Sequence, residues 1–331
     1  MEIRGLNGKN SFLKLDFNKD LTILTGKNGC GKTTVMKMLW YALSNNIEKL
    51  IREINFEELA FNANKHEVKI IRKEGSILVD EEGIQTVYDE SDFLRMKNIC
   101  IHSVKCNSIY FPTFRRIEGG YSDERRLFDD LSDSLDRISK QLSNGNHKFV
   151  TSISTIDIEN LVRDEALNKW RQSSKIQSYT MNKVRELIKN KQKNKEDLFD
   201  QIQKEITYAD VESDFLLKPF MELEKTIKSI YKEKGIDLSV LKFGSNNIIP
   251  SDKLSAGEKQ MLSFLCYNMF SHECTIIIDE PELSLHPDWQ RKLMPTLLKQ
   301  NKDNQFIIAT HSPFIYSQYP DKEIEMDIKG E

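Results

Sequence analysis

Cysteine is scarce and unpatterned in this 331-residue chain. The five cysteines, Cys30, Cys100, Cys106, Cys266 and Cys274, form no C-x-x-C pair and are odd in number, which argues against a zinc or disulfide framework and for reduced thiols. A dominant charge is also missing. With 48 basic and 51 acidic side chains the formal net charge is -3, so any binding to nucleic acid must rest on a local patch. No apolar run approaches the roughly 20 residues of a membrane-spanning helix. No signal-peptide h-region opens the sequence, so the expectation is a cytoplasmic chain without membrane contact. Internal repeats and low-complexity segments are absent too. What is present is a surface-rich mixture, 30% charged and 39% hydrophobic, long enough for one large domain or two modest ones.

Short apolar runs stand near the start, at residues 12–17 and 21–25, and the second feeds a glycine-rich loop. Val35, Met38, Leu39 and Leu43 then recur at helical spacing. More strand-like runs fall at 68–71 and 76–79, the latter after a Glu-Gly turn. The character changes near Tyr110-Phe111-Pro112. From about Tyr121 to Gly235 the chain is polar and helix-favouring, with Leu127, Leu131, Leu135, Ile138 and Leu142 at helical spacing. Breaks are expected at Gly145-Asn146 and at Pro219. The longest helix reaches at most about 40 residues, or about 60 Å, which predicts a short lobe rather than a very long coiled coil. The last quarter alternates helix patterns (258–270 and 289–298) with continuously apolar strands (275–278 and 306–309). Such strands predict a parallel sheet covered on both faces. The expected plan is one α/β core built from residues 1–118 and 239–331, with 119–238 as a helical insertion.

Five separated segments carry chemistry. Gly26-Lys27-Asn28-Gly29-Cys30-Gly31-Lys32-Thr33-Thr34 has the spacing of a phosphate-binding loop. Its glycines let the N–H groups of Asn28 through Thr34 turn toward an anion, and the following helix adds its positive dipole end. Lys32 suits the β- and γ-phosphates of ATP, and the Thr33 hydroxyl suits Mg²⁺. The bland alternative is a tight strand-to-helix turn, but an apolar strand before and a helix after favour the loop. Asp279 and Glu280 end the apolar run Ile276-Ile277-Ile278, at the edge of a parallel sheet where ligands bind. Asp279 suits a role on Mg²⁺ and Glu280 the positioning or deprotonation of the attacking water. Strand-end carboxylates capping a neighbouring helix are the alternative.

Leu254-Ser255-Ala256-Gly257-Glu258 opens a helix, and Ser255 with Glu258 has capping-box spacing. A serine hydroxyl, the Gly257 backbone and the dipole end also make an anion site, and both uses draw on the same N–H groups. Ser284-Leu285-His286-Pro287 follows the acidic pair. His311, after Ile308-Ala309-Thr310 and before Ser312-Pro313, ends the next strand, where an imidazole can sense a γ-phosphate.

In this order the segments resemble the ABC/SMC-type ATPases. Gly26 to Thr34 matches Walker A, Leu254 to Glu258 the signature, Ile276 to Glu280 Walker B, Ser284 to Pro287 the D-loop and His311 the switch histidine. The variant Asp279-Glu280-Pro281-Glu282-Leu283-Ser284-Leu285-His286-Pro287 is narrower. With Tyr110-Phe111-Pro112-Thr113-Phe114-Arg115-Arg116, it resembles the overcoming-lysogenisation-defect and antiphage-defence ATPases, such as those of Septu, PARIS and certain retrons. The resemblance covers residues 1–118 and 240–325 and leaves the insertion unmatched. No glutamine stands where the family's Q-loop would place one, and no aromatic of the first strands is an adenine stacker. Arg4 and Lys9 read as surface charges more readily than as nucleotide contacts.

The resemblance implies an ABC-type P-loop NTPase head that binds ATP and Mg²⁺. It also implies two heads facing each other, with Ser255, Gly257 and Glu258 of one completing the site on the other. It further implies regulation of a separate effector, a nuclease or toxin. The chain ends soon after His311, an expectation against a C-terminal nuclease domain. Two other readings stay open. A DNA-binding repair ATPase of SMC or RecF type would use the basic stretch Lys183, Arg185, Lys189, Lys191, Lys193 and Lys195, although such runs are commonly solvated helix faces. A transporter subunit fits poorly with the charged insertion.

Overall fold

The computed structural model describes residues 1–8, 11–89, 101, 104–117, 134–135, 137–189, 195–231 and 254–326. The chain forms two compact units, Met1–Ile153 with Ser271–Glu331, and Ser154–Phe270. Its elements begin with β1 (Glu2–Arg4), β2 (Phe12–Lys14), β3 (Leu21–Thr25), α1 (Lys32–Leu43) and α2 (Ile47–Glu53). Next come β4 (Glu58–Ala63), β5 (His66–Lys73), β6 (Ser76–Glu81), β7 (Ile84–Asp89), β8 (Asn107–Phe111), β9 (Arg116–Ile117), β10 (His147–Phe149) and β11 (Ser152–Ile153). Three helices, α3 (Thr155–Lys189), α4 (Lys195–Ile230) and α5 (Ala256–Met269), belong to the second unit. The chain then returns through β12 (Cys274–Asp279), α6 (Pro287–Gln300), β13 (Gln305–Ala309), α7 (Pro313–Tyr316) and β14 (Glu323–Glu325).

The first unit holds two six-stranded sheets. One, ordered β2-β1-β4-β5-β6-β7, is antiparallel throughout. Its inner strands alternate buried and half-buried residues, the pattern of a sheet with one covered face. The other, ordered β10-β8-β12-β13-β3-β14, is parallel throughout. β3, β12 and β13 are buried along nearly their whole length, as apolar runs covered on both faces must be. The molecule is therefore α/β with the expected parallel sheet, joined by an antiparallel one.

Helix α1 links them. It packs against β8, β12 and β13, and its apolar residues share one core with Ile3, Leu59, Phe61, Val68 and Ile70 of the antiparallel sheet. Trp40 is fully buried there, 5.9 Å from the Tyr110 ring and 5.0 Å from the Phe149 ring, centroid to centroid. These ring pairs add to the apolar area already buried.

Three expectations change. The run 12–17 is a strand over Phe12–Lys14, and Leu15 adds one further rung by exchanging backbone bonds with Met1, both at 2.8 Å, after which the pairing with β1 stops. Residues 147–153, inside the stretch expected to be helical, form β10 and β11. Gly145 (φ 56°) turns the chain back after the helical residues 137–142, and the turn closes on mutual Asn144–His147 backbone bonds. Pro219 does not end a helix but lies inside α4. A proline within a helix costs about 3 kcal/mol, and here Leu223 and Ile227 on the following turns are fully buried, which offsets it. Leu127 and Leu131, and the boundaries at 118/119 and 238/239, lie outside the described residues.

In the second unit α3 and α4 run side by side, with small polar side chains between them. The Ser173 and Ser213 hydroxyls meet at 3.1 Å, and Thr180 and Ala209 are buried. α5 packs on both, with Phe220 and Phe270 rings 4.9 Å apart and Tyr231 donating to the Glu258 carbonyl at 2.8 Å. At 36 residues α4 stays within the expected short lobe. No helix among the described residues is long and apolar enough to cross a membrane.

The aromatic core makes a direct prediction. Trp40→Ala should lower the unfolding free energy by about 3–5 kcal/mol, the usual cost of emptying a large buried aromatic site. Trp40→Phe should cost far less, because it also removes an indole N–H that has no partner in the core. Equal losses for the two variants in urea titration would show that this packing does not anchor the unit.

Candidate functional site

The loop between β3 and α1 is shaped by left-handed glycines, with φ of 131° at Gly26, 79° at Gly29 and 93° at Gly31. At Gly26 a side chain is also excluded by space, since a Cβ would lie 2.4 Å from the Met326 carbonyl oxygen. That carbonyl belongs to a residue whose N–H donates to Thr25, so the strand entering the loop is held against β14. Asn28 and Gly29 are exposed at the tip, Cys30 is half-buried, and Thr33 and Thr34 open the helix behind them.

Lys32 is buried, and its ammonium curls back into the loop. Nζ donates to the Gly26 carbonyl at 3.0 Å and the Lys27 carbonyl at 3.4 Å, and lies 2.8 Å from His311 Nε2. An ammonium only donates, so Nε2 is the acceptor in this contact. Lys32 is thus gathered with His311 around a cleft at the carboxyl ends of β3 and β13.

The acidic strand end completes that edge. Asp279 is fully buried, and its Oδ2 accepts the Thr113 hydroxyl at 2.5 Å. Burial pushes its pKa up, while the Thr113 and Thr33 hydroxyls, Arg115 and Lys32 pull the other way. The second carboxylate oxygen, Oδ1, makes no hydrogen bond of normal geometry. A buried carboxylate oxygen left open beside a threonine hydroxyl is a fitting donor set for a hard divalent cation. Glu280 follows at φ 51°, a left-handed backbone rare for a side chain of its length. Its Oε1 lies 3.5 Å from His311 Nε2. Burial, then hydrogen bonding to and repulsion from Glu282, then Asp279, push the Glu280 carboxyl up to about 8, against the pull of Lys32.

The structure therefore brings Lys32, Asp279, Glu280 and His311 together, with Thr33 beside Asp279. Ser255, Gly257 and Glu258 belong to the other unit. There Ser255 caps α5: its Oγ accepts the Glu258 N–H at 3.3 Å, and its own N–H donates to Glu258 Oε2 at 2.8 Å. Arg4 stacks over the Phe12 ring at 5.3 Å, a surface contact. Lys9, Lys191 and Lys193 lie outside the described residues, as does the side chain of Lys195. Of the remaining basic stretch, Lys183 pairs with Glu205 at 2.5 Å.

Three groups carry roles that sequence reasoning had not assigned. Thr113 binds Asp279 from the end of β8, where no glutamine stands. Glu282 accepts the His311 backbone N–H at 2.7 Å, tying the histidine turn to the acidic turn. Arg115 binds the carbonyls of Pro112 and Asp279, both at 2.8 Å, and of Glu280 at 3.0 Å. Their available signal was the segment Pro112-Thr113-Phe114-Arg115 directly after a buried strand, and the second acid of Asp-Glu-Pro-Glu.

A glycine-shaped loop before α1 and a buried acidic strand end beside it, on a parallel sheet, define a P-loop ATPase domain. A family model described as "AAA domain, putative AbiEii toxin, Type IV TA system" matches residues 21–317, and the chain belongs to that family. It is 22% identical to the "Retron Vc95 probable ATPase" of Vibrio cholerae serotype O1 biovar El Tor, over 95% of this chain and 71% of that protein. It is 24% identical to the "Septu protein PtuA" of Bacillus thuringiensis, over the same 95% and 71% shares. These are among the antiphage-defence groups that the motifs resemble. Among solved structures it is similar to an Smc head domain of Pyrococcus furiosus bound to the C-terminal domain of ScpA. That match has a TM-score of 0.42 and 14% identity and covers 99% of this chain and 93% of that one.

The Glu280 environment yields a pH prediction for the nucleotide-free, metal-free protein. A carboxyl whose pKa rises on folding from 4.5 to about 8 takes stability away as pH climbs between those values. Glu280→Gln removes that loss. The variant's melting temperature should gain on wild type by several degrees between pH 5 and pH 8. A gap that is the same at both pH values would refute the burial of this carboxyl.

Proposed function

We propose that the chain binds and hydrolyses ATP with Mg²⁺, pairs head to head through the bound nucleotide, and controls a separate effector, a nuclease or toxin, in antiphage defence. The observation that carries this reading is the convergence of Lys32, Asp279, Glu280 and His311 on one sheet edge beside a glycine-shaped loop. The residues fit the nucleotide. Loop amides and Lys32 would hold its phosphates, while Asp279 and Thr33 would hold Mg²⁺, which shields the phosphate charge when bound. Glu280 would orient the attacking water and take its proton, and His311 would hydrogen-bond the γ-phosphate. On this reading residues 1–118 and 239–331 build the head and 119–238 a lobe available to a partner, in the cytoplasm. The names of the retron and Septu relatives support the defence setting. A DNA-repair reading has less support, since Lys183 of the basic stretch is already paired.

Two variants separate binding from hydrolysis. Lys32→Ala should weaken ATP binding on the order of 10- to 100-fold in calorimetry, the worth of one or two charge-assisted hydrogen bonds. Glu280→Gln should bind ATP and Mg²⁺ as wild type does, stop turning ATP over, and accumulate as a nucleotide-bound dimer in native mass measurement. Unchanged affinity in the first, or unchanged turnover in the second, overturns the assignment concerned.

Head pairing has its own test. Ser255→Arg should leave the monomer folded and able to bind ATP, yet block engagement by putting a long cation where the partner's γ-phosphate must sit. When it is mixed with Lys32→Ala, a trans site places both lesions in one composite site and leaves the other whole. ATP turnover should therefore recover on mixing two inactive proteins. If each site were built within one chain, mixing would restore nothing.

A further inference from the structure

The sharpest backbone anomaly at the site is Glu280, a long-chain residue held at φ 51°. Left-handed backbone costs a non-glycine residue about 1–2 kcal/mol, so something must hold it there. Its own N–H continues the sheet, donating to the Ala309 carbonyl at 2.9 Å. Beyond that point the ladder stops, and the carbonyls of Asp279 and Glu280 turn toward the loop that follows β8 rather than toward a neighbouring strand. Arg115 meets both. One guanidinium nitrogen, Nη1, donates to Asp279 O and to Pro112 O, each at 2.8 Å, and the other, Nη2, donates to Glu280 O at 3.0 Å. The planar fork thus spans two consecutive peptide units and pins them to the loop after its own strand. Arg115 is buried, and losing it would strip these carbonyls of their guanidinium donors.

We infer that Arg115 is the positioning residue that sets the left-handed turn at Glu280 and so aims the Glu280 carboxylate into the cleft beside His311. It acts through the main chain, on the carbonyls of Asp279 and Glu280. Thr113, two residues earlier, binds the Asp279 side chain at 2.5 Å, so one short loop fixes both acids. Asp279 is held by its carboxyl, and Glu280 by its backbone. A lysine at position 115 keeps the charge but offers a compact ammonium that cannot bridge three carbonyls in one plane. Glu280 is then free to relax to extended backbone, which swings its side chain away from the cleft.

This inference rests on the proposed hydrolytic role of Glu280, and its test separates the two. The variants are Arg115→Lys and, should that fold poorly, Arg115→Gln, compared with wild type in the full chain. Arg115→Lys should keep ATP affinity within about twofold while kcat falls on the order of 10- to 100-fold, the range expected when an aligned group is misplaced by about an ångström. A crystal structure of the nucleotide-free Arg115→Lys protein should show Glu280 with negative φ. A purely structural role would instead lower the melting temperature and weaken binding and turnover together. Glu280 still left-handed in the variant, or kcat within twofold of wild type, overturns the inference. If wild-type protein turns over no ATP, the hydrolytic reading fails. The φ of Glu280 in the variant still decides what Arg115 does.

Discussion

Parallel pairing at a fixed register is the constraint on which the site depends. β3, β12 and β13 lie side by side in one direction, with Leu24 opposite Ala309 and Ala309 opposite Asp279. β8 joins on the other side of β12, with Phe111 opposite Ile278. Whatever follows these strands therefore emerges along one edge: the glycine loop after Thr25, the acidic pair at 279 and 280, Thr113 after Phe111, and His311 after Thr310. In a parallel ladder each strand needs a long crossover, so residues adjacent on this edge are far apart in the chain. Lys32 and His311, 2.8 Å apart, are separated by 279 positions. Antiparallel pairing would have sent half of these groups to the opposite end. A slip of one residue in β12 would have turned the Asp279 side chain to the other face.

Electrostatics explains why the edge is poised rather than merely crowded. Asp279, Glu280 and Glu282 follow one another within four residues in largely dehydrated surroundings, and burial raises the first two above their ordinary range. Lys32 and Arg115 oppose that shift, yet neither satisfies the open Asp279 Oδ1. Lys32 is spent on loop carbonyls and the imidazole, and Arg115 on strand-end carbonyls. With all three acids ionised they outnumber the two cations by one, beside the glycine-shaped loop. An anion alone would meet that charge unfavourably. An anion accompanied by a divalent cation suits it, which is the pairing that the proposed binding of ATP with Mg²⁺ would supply.

Much of this was legible in the sequence because it is local. A glycine-rich loop, a capping box at Ser255 and Glu258, and apolar runs ending in acids all depend on near neighbours, and each forms where its pattern stands. What escaped was non-local. Residues 147–153 are polar enough to pass for an insertion, and they become strands because β8 and β9 offer edges to pair with. Pro219 is a local break signal overridden by burial on the following turns of its helix.

Glu280 shows why the site's geometry is the hardest part to read ahead. Local rules would place glycine or asparagine at φ 51°, and glycine would hold that turn without strain. Glycine has no carboxylate to offer the cleft. The chain instead keeps the acid and accepts a conformation that its own residue type disfavours, stabilised by a guanidinium 165 positions earlier. Neither half of that arrangement has a sequence signature alone. The arginine looks like one of many surface cations, and the glutamate looks like the end of a strand. Only their meeting across the β8–β12 ladder gives each its purpose, which is why departures from local preference concentrate where chemistry has to be aimed.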